Sequence, residues 1–137
     1  MNLLIPLKAS IKMKMLFVLL MNNRGKLQGV AFVDLTRSLG YDNVLDEVLV
    51  NPERNSAIGK RAAIKGTGTK LVQAVANKVL MKKGEQNLGL LSLKSAIPFY
   101  IKLGFDDNGG GPGANNGPMT EDMSMNAKQM KMLCAKV

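Results

Sequence analysis

A glycine-rich turn with the sequence KGTGTK, residues 65–70, lies at the centre of the stretch from Leu45 to Phe105. The pattern around it predicts an apolar strand, a polar connection, the turn, a helix, a second apolar strand and a short helix. Because Gly66 and Gly68 lack a Cβ, the backbone there can approach a ligand closely. The free N–H groups of a helix's first turn and the helix dipole favour an anion, so the turn predicts a phosphate site.

Hydrophobic patterning along the rest of the chain predicts strands first, and then strands that alternate with helices. The turn chemistry of residues 22–25, NNRG, joins the first two strands in an antiparallel hairpin. Strands are expected at 11–20, 27–35, 44–50, 88–93 and 123–125, and helices at 69–81, 95–103 and 127–135. Residues 1–10 add an edge segment. This order implies an α/β (α+β) domain with helices packed on a mixed sheet.

Composition excludes several classes of protein. The chain has 137 residues, of which 46% are hydrophobic, and we expect a single domain over 1–137. It has no His, the commonest metal ligand, and its one Cys cannot form an intrachain disulfide. We therefore predict no metal site and a reducing, cytoplasmic location. The apolar run Leu16–Met21 is far too short to span a membrane, so no membrane partner is expected.

The net charge of +9 indicates an anionic partner, and nucleic acid is one such partner. The lysines are scattered over most of the chain, which favours a solvated basic surface with a local anion site. Single-strand nucleic-acid binders need stacking aromatics in a basic groove, and this chain has four Phe, two Tyr and no Trp. A basic nucleic-acid-binding module is therefore the less favoured alternative.

The two commonest nucleotide-binding turns fit this stretch poorly. A P-loop ends in Gly-Lys-Ser/Thr, whereas this turn ends Gly68-Thr69-Lys70-Leu71. A dinucleotide-binding turn needs a third glycine, and Leu71 stands at that position. A different class of phosphate-bearing ligand has to be considered.

A pair of motifs fits much better. The turn is followed, after one helix and one strand, by residues 96–105 with the sequence AIPFYIKLGF. Together the two motifs resemble the GNAT superfamily of acyl-CoA-dependent N-acetyltransferases, whose signature is Gln/Arg-x-x-Gly-x-Gly/Ala opening a helix, and then a Tyr-x-x-Leu-Gly-Phe ending. The resemblance covers roughly residues 27–105. It implies a mixed, largely antiparallel sheet with helices on both faces, here lacking much of the usual N-terminal helical arm.

The resemblance also implies acetyl-CoA as cosubstrate, and direct transfer of its acetyl group to a primary amine in a ternary complex. The family's turn binds the coenzyme A pyrophosphate through backbone amides, and the strand before it pairs with the pantetheine arm. Tyr100 matches the tyrosine that lies near the thioester sulfur and often serves as general acid for the departing thiolate. The implied cofactor-binding residues are Val48, Leu49, Val50, Ala63, Ile64, Lys65, Gly66, Thr67, Gly68 and Thr69.

With no His available, a carboxylate, a water chain or the substrate must take the excess proton of the amine. Glu47 is our first candidate and Asp46 our second, because both acids interrupt an apolar strand. Side chains alternate along a strand, so only one of the two is expected to face the cleft. The alternative is that either acid is a surface charge. Tyr41 is expected to be a loop or strand-edge residue.

The chain departs from the family pattern at several positions. Ala63 replaces the Gln or Arg near the phosphates, and Leu93 replaces an Asn that commonly precedes the tyrosine. The helical arm before the first strands is largely absent. These departures leave open a second hypothesis, a non-catalytic acyl-CoA-binding protein. The identity of the acceptor amine is left open too, and an exposed hairpin edge could also pair across a homodimer.

Overall fold

The computed structural model describes residues 2–7, 15–21, 24–50, 66–109 and 120–136. Within these ranges the chain forms a seven-stranded sheet, three α-helices and a short 3-10 helix. The strands are β1 (Asn2–Leu7), β2 (Met15–Met21), β3 (Leu27–Asp34), β4 (Asn43–Val50), β5 (Leu88–Leu93), β6 (Asp106–Asp107) and β7 (Thr120–Met125). The helices are α1 (Thr67–Leu80), α2 (Ile97–Leu103), α3 (Ala127–Ala135) and the 3-10 helix Lys94–Ala96. None of these helices is long and apolar enough to cross a bilayer.

The strands lie in the order β1-β2-β3-β4-β5-β7-β6. Neighbouring strands are antiparallel except β4 and β5, which are parallel. This confirms the predicted mixed, largely antiparallel sheet and the hairpin of β2 with β3. The edge strand β1 contains Pro6, and an edge position tolerates the missing N–H group of proline.

Helix α1 covers the core on one face of the sheet. Its buried apolar side chains recur at helical spacing and are Leu71, Val72, Val75, Ala76 and Val79. They form one cluster with buried side chains of the sheet and of α3, among them Val18, Ala31, Val33, Leu90, Met123 and Met130. Aliphatic and methionine side chains thus fill the core of a chain that is poor in aromatics.

Gly29 of β3 allows α1 to lie against the sheet. A Cβ built on Gly29 would lie 2.8 Å from the carbonyl oxygen of Leu49 and 2.8 Å from Cδ1 of Leu71. It would also lie 3.2 Å from Cγ2 of Thr67, the first residue of α1. Any side chain at this position would have to displace the helix or the neighbouring strand.

Helix α3 is hydrogen-bonded to both α1 and the end of α2. Gln73 of α1 donates from Nε2 to the carbonyl oxygen of Leu133 in α3 at 3.1 Å. Gln129 of α3 donates from Nε2 to the carbonyl oxygen of Gly104, which ends α2, at 2.9 Å. Residues 8–14, between β1 and β2, lie outside the described residues.

Helix α2 ends where the sequence predicts, but it begins later than predicted. The sequence predicted a helix from residue 95, but Ser95 lies within the 3-10 helix, and α2 begins at Ile97 without a side-chain cap. At the other end, Gly104 adopts the left-handed conformation with φ of 105°, as the Leu-Gly-Phe sequence predicts. Its N–H donates to the carbonyl oxygen of Ile101 at 3.0 Å.

Gly29→Ala is expected to destabilise the fold by about 1–3 kcal/mol, because the added methyl group must push α1 away from β3. Urea denaturation would record this as a lower midpoint with an unchanged slope. The control Asn77→Ala changes an exposed position of α1 and should leave the midpoint unchanged or raise it slightly. Equal midpoints for Gly29→Ala and the wild type would contradict the close packing of α1 on this strand.

Candidate functional site

Strand β4 contains one residue more than its partner β3. Phe32 of β3 pairs with Glu47, whereas the next residue, Val33, pairs with Leu45. Asp46 between them has no partner of its own in β3, which defines a β-bulge. Because a bulge bends its strand and increases the local twist, β4 changes direction at Asp46.

The parallel pairing of β4 with β5 ends just before this bulge. The paired residues are Asn43 with Leu88 and Val44 with Gly89. Beyond them, β4 continues alongside β3 to Val50 and β5 continues alongside β7 to Leu93. The edges of β4 and β5 that face each other have no strand partner there among the described residues. We call the gap between residues 45–50 and 90–93 the cleft.

The cleft presents backbone groups to a ligand. Unpaired N–H and C=O groups on the two facing edges are strong hydrogen-bonding groups, and an extended ligand with amides can pair with them as an added strand does. Val48 and Val50 pack against the core on the α1 side. Leu49 points to the other face and is 47% exposed. The three predicted cofactor-binding residues of β4 therefore line one side of the cleft with their backbone.

The N-terminus of α1 lies at the open end of the cleft. Gly66 precedes the helix in the left-handed conformation, with φ of 86°, and no side chain caps the first turn. A Cβ built on Gly66 would have no described atom within 4 Å, so the space in front of it is open as far as the described residues extend. The first turn has no acidic residue, and Lys70 there is exposed. Uncapped N–H groups and a lysine both favour an anion at this position.

Gly68 allows α2 to pack on the first turn of α1. A Cβ built on Gly68 would lie 3.1 Å from Cζ of Phe99 and 3.9 Å from Cγ2 of Val50. The Phe99 ring meets Tyr100 edge to face with the ring centroids 5.0 Å apart. Tyr100 meets Phe105 in the same way at 5.4 Å. This row of three rings fixes Tyr100 relative to the first turn of α1 and the open end of the cleft.

Tyr100 has the protonation state that a general acid needs. Its side chain is half-buried, and burial raises the pKa of the Tyr100 phenol above its usual value of 10.0. The neutral phenol therefore predominates at physiological pH. A neutral phenol can donate its proton to a leaving group.

Both candidate bases lie at the bulge and are exposed. Asp46 is still partly covered by the protein, and this burial raises the pKa of its carboxyl group above 3.8, with the nearby charges of Asp34 and Glu47 raising the pKa further. Glu47 pairs with Phe32 and lies on the face away from α1. Strict alternation of side chains does not hold at a bulge, so the expectation that only one of the two acids faces the cleft stays a prediction.

The fold brings most of the predicted site together. Thr67 is buried against Gly29, whereas Thr69 is partly exposed in the first turn of α1. Tyr100 lies on the helix that contacts this turn. Residues 63–65, with the sequence AIK, lie outside the described residues, so their predicted contacts stay predictions.

Sequence reasoning did not connect Tyr41 with the cleft. The Tyr41 ring lies directly over Gly89, where a Cβ would overlap it, and Gly89 belongs to the last pair at the closed end of the cleft. Tyr41 also forms an isolated bridge with Ser38, as expected for a strand-edge residue. Gly89 was the available signal, because a glycine inside an apolar strand often marks the close approach of another group.

No protein-family model matches the chain, and no curated protein sequence matches it. Solved structures do match. An acetyltransferase from Bacillus cereus ATCC 14579 has a TM-score of 0.58 at 18% identity, and the alignment covers 84% of this chain and 74% of that chain. Tetrahymena GCN5 has a TM-score of 0.59 at 15% identity, with 82% and 68% covered. An acetyltransferase from Thermus thermophilus has a TM-score of 0.55 at 16% identity, with 87% and 67% covered.

At identities this low, the TM-scores establish a common fold, and activity has to be argued from the site. The matched structures cover most of this chain, and the Bacillus and Thermus proteins are acetyltransferases by name. The chain has the fold of the GNAT acetyltransferases, as its two motifs predicted.

Proposed function

We propose that the protein is a GNAT-type acyltransferase that moves an acetyl group from acetyl-CoA to a primary amine. The observation that carries the proposal is the cleft, which is closed at the Val44–Gly89 pair and leads to the uncapped first turn of α1. Along the cleft, an anion site at the first turn of α1 is thus followed by two strand edges that have no strand partner among the described residues. An acyl-CoA carries a diphosphate and then an amide-bearing arm in the same order.

In this proposal the backbone of the protein holds the coenzyme. The diphosphate lies at the N–H groups of residues 66–69, where the helix dipole and Lys70 favour negative charge. The pantetheine amides pair with the backbone of residues 48–50. Residues 63–65 complete the approach to the turn. Because backbone groups make these contacts, binding does not require the side chain that Ala63 replaces.

The transfer step joins the amine to the acyl carbon. The acceptor nitrogen attacks the thioester carbonyl carbon, a C–N bond forms, and the C–S bond breaks as its electron pair leaves with sulfur. The leaving thiolate takes the proton of the Tyr100 phenol. The excess proton of the amine goes to Glu47 or Asp46, directly or through water, and solvent returns a proton to Tyr100. Holding both reactants in line supplies much of the rate enhancement.

The acceptor approaches from the sheet face away from α1, the face of Glu47. The charges of Asp34 and Glu47 act on Asp46, within a chain of net charge +9. Their negative potential supports an amine that approaches as a cation and loses its proton at the site. The free cysteine, Cys134, is in keeping with a reducing cytoplasmic location.

A non-catalytic acyl-CoA-binding protein is the second candidate. It is favoured by the departures from the family pattern at Ala63 and Leu93 and by the missing helical arm, which reduces one wall of an acceptor site. Tight binding of acetyl-CoA without transfer to any amine would support this candidate over the enzyme. A homodimer paired along the edge strand β1 is compatible with either candidate.

Gly66→Leu is expected to weaken acetyl-CoA binding at least about 10-fold, because the side chain would fill the space in front of the first turn of α1. Isothermal titration calorimetry measures the change in Kd. Gly84→Leu is the matched control, since Gly84 also has a positive φ, 78°, and no described atom within 4 Å of a built Cβ. Both variants should lose about 1–2 kcal/mol of stability through backbone strain. The same loss of affinity in both, or no binding of acetyl-CoA to the wild type at millimolar concentration, would contradict the proposed site.

Tyr100→Phe is expected to lower kcat about 10²–10⁴-fold while leaving the Kd for acetyl-CoA unchanged, because only the proton of the phenol is lost. Release of the coenzyme A thiol, followed with a panel of polyamines, amino acids and lysine peptides as acceptors, measures the rate. The ring packing against Phe99 and Phe105 is retained in this variant, so its melting temperature serves as the control. An unchanged kcat would remove Tyr100 from the chemical step.

Asp46→Asn is expected to stabilise the protein at neutral pH. The raised pKa of Asp46 means that the folded state binds the proton more tightly than the unfolded chain, so ionisation destabilises the fold as pH rises above 3.8. The gain over the wild type should shrink as pH falls below 3.8, where both states are protonated. Urea denaturation from neutral pH to below pH 3.8 measures this gain in stability. The gain should be smaller, but still present, in a Glu47→Gln background, since burial is the larger cause. A variant less stable than the wild type at neutral pH would contradict this account.

A further inference from the structure

The closed end of the cleft is walled on both faces of the sheet. On the core face, Leu45 and Leu90 are the first residues beyond the Val44–Gly89 pair, and they are 3% and 2% exposed. On the other face, the Tyr41 ring lies over Gly89. A ligand that enters the cleft from the first turn of α1 therefore meets the last strand pair, where the two core leucines close one face of the sheet and the aromatic ring lies on the other. We call these groups together the wall.

The position of the Tyr41 ring depends on Gly89. A Cβ built on Gly89 would overlap Cγ, Cδ2 and Cε2 of the ring, so no other residue at this position lets the ring lie where it does. Val44, the partner of Gly89, is buried at 3% exposure. The Tyr41 ring thus packs directly on the backbone of β5 at Gly89.

Asn108 holds the hydroxyl group of Tyr41. Its Nδ2 donates to the Tyr41 hydroxyl at 3.0 Å and to Oγ of Ser124 in β7 at 2.9 Å. The backbone N–H of Asn108 donates to the carbonyl oxygen of Asp122 at 2.8 Å, which ties Asn108 itself to β7. A side chain held by packing and by a hydrogen bond to an anchored residue presents a defined surface.

The length of the cleft limits what can extend beyond the coenzyme arm. From Val50, next to the first turn of α1, to Val44 the strand rises about 20 Å. The pantetheine arm from the phosphate oxygen to sulfur has about twelve bonds, and at the extension of a polypeptide it spans about 14 Å. About 6 Å then remains before the wall, which is enough for a thioester carbonyl and a short acyl group.

We propose that the Tyr41 ring, seated on Gly89 and held by Asn108, sets the upper length of the acyl group and restricts the protein to short acyl-CoA thioesters. The proposal rests on the proposed function, since it assumes that acyl-CoA binds in the cleft. Acetyl and propionyl groups fit in front of the wall, whereas a hexanoyl chain meets the ring. Tyr41 is in this account a specificity-determining residue and takes no part in proton transfer.

Isothermal titration calorimetry with coenzyme A, acetyl-CoA and hexanoyl-CoA tests the proposal. The wild type should bind hexanoyl-CoA at least 10-fold more weakly than acetyl-CoA, because one misfitting methylene already costs about 10–200-fold. Tyr41→Ala should remove most of this discrimination by improving the Kd for hexanoyl-CoA. Tyr41→Phe keeps the ring and should keep most of the discrimination.

Asn108→Ala provides a second variant in case Tyr41→Ala fails to fold. Asn108 is exposed, and its loss frees the ring without opening the core, so an intermediate ratio of the two Kd values is expected. Equal Kd values for the two thioesters in the wild type, or a ratio that neither Tyr41→Ala nor Asn108→Ala changes, would overturn the proposal. If coenzyme A and both thioesters fail to bind to the wild type, the proposed function itself is wrong, and the proposal falls with it.

Discussion

The site depends on one extra residue in β4. If Asp46 had a partner in β3, β4 and β5 could continue as a regular parallel pair, and their facing N–H and C=O groups would bond to each other. The bulge bends β4 shortly after its last pair with β5, so that among the described residues these groups have no strand partner and can bond to a ligand. The outer edges of both strands stay paired with β3 and β7, so the sheet remains continuous around the cleft.

Three close contacts at glycines then place the parts of the site around the cleft. Gly29 admits the start of α1 to the sheet, Gly68 admits Phe99 to the first turn of α1, and Gly89 admits the Tyr41 ring to the closed end. A methyl group at Gly29 would displace α1, one at Gly68 would displace Phe99, and one at Gly89 would displace the Tyr41 ring. The positions of the candidate phosphate site, of Tyr100 and of the Tyr41 ring therefore require glycine at these three places.

Much of the fold could be predicted because its signals are local. Turn residues, apolar runs and helical spacing predicted β3, β4, β5, α1 and α3 close to their observed bounds, and Gly104 ends α2 where its motif predicts. Strand β7 begins three residues earlier than predicted, and the two-residue β6 was not predicted. The differences have non-local causes. Ser95 does not cap α2, because the chain leaves β5 through a 3-10 helix. The expectation that only one of Asp46 and Glu47 faces the cleft rested on a regular strand, which the bulge interrupts.

By itself the sequence determined the order of strands and helices, the glycine-rich opening of α1 and the aromatic motif around Tyr100, because backbone preference and side-chain periodicity act over a few neighbouring residues. Only the tertiary structure decided that Asp46 is the unpaired residue, that β4 and β5 part after Val44 and Gly89, and that Tyr41 lies over Gly89. These features depend on register and packing between segments far apart in the chain, and no local preference specifies such contacts.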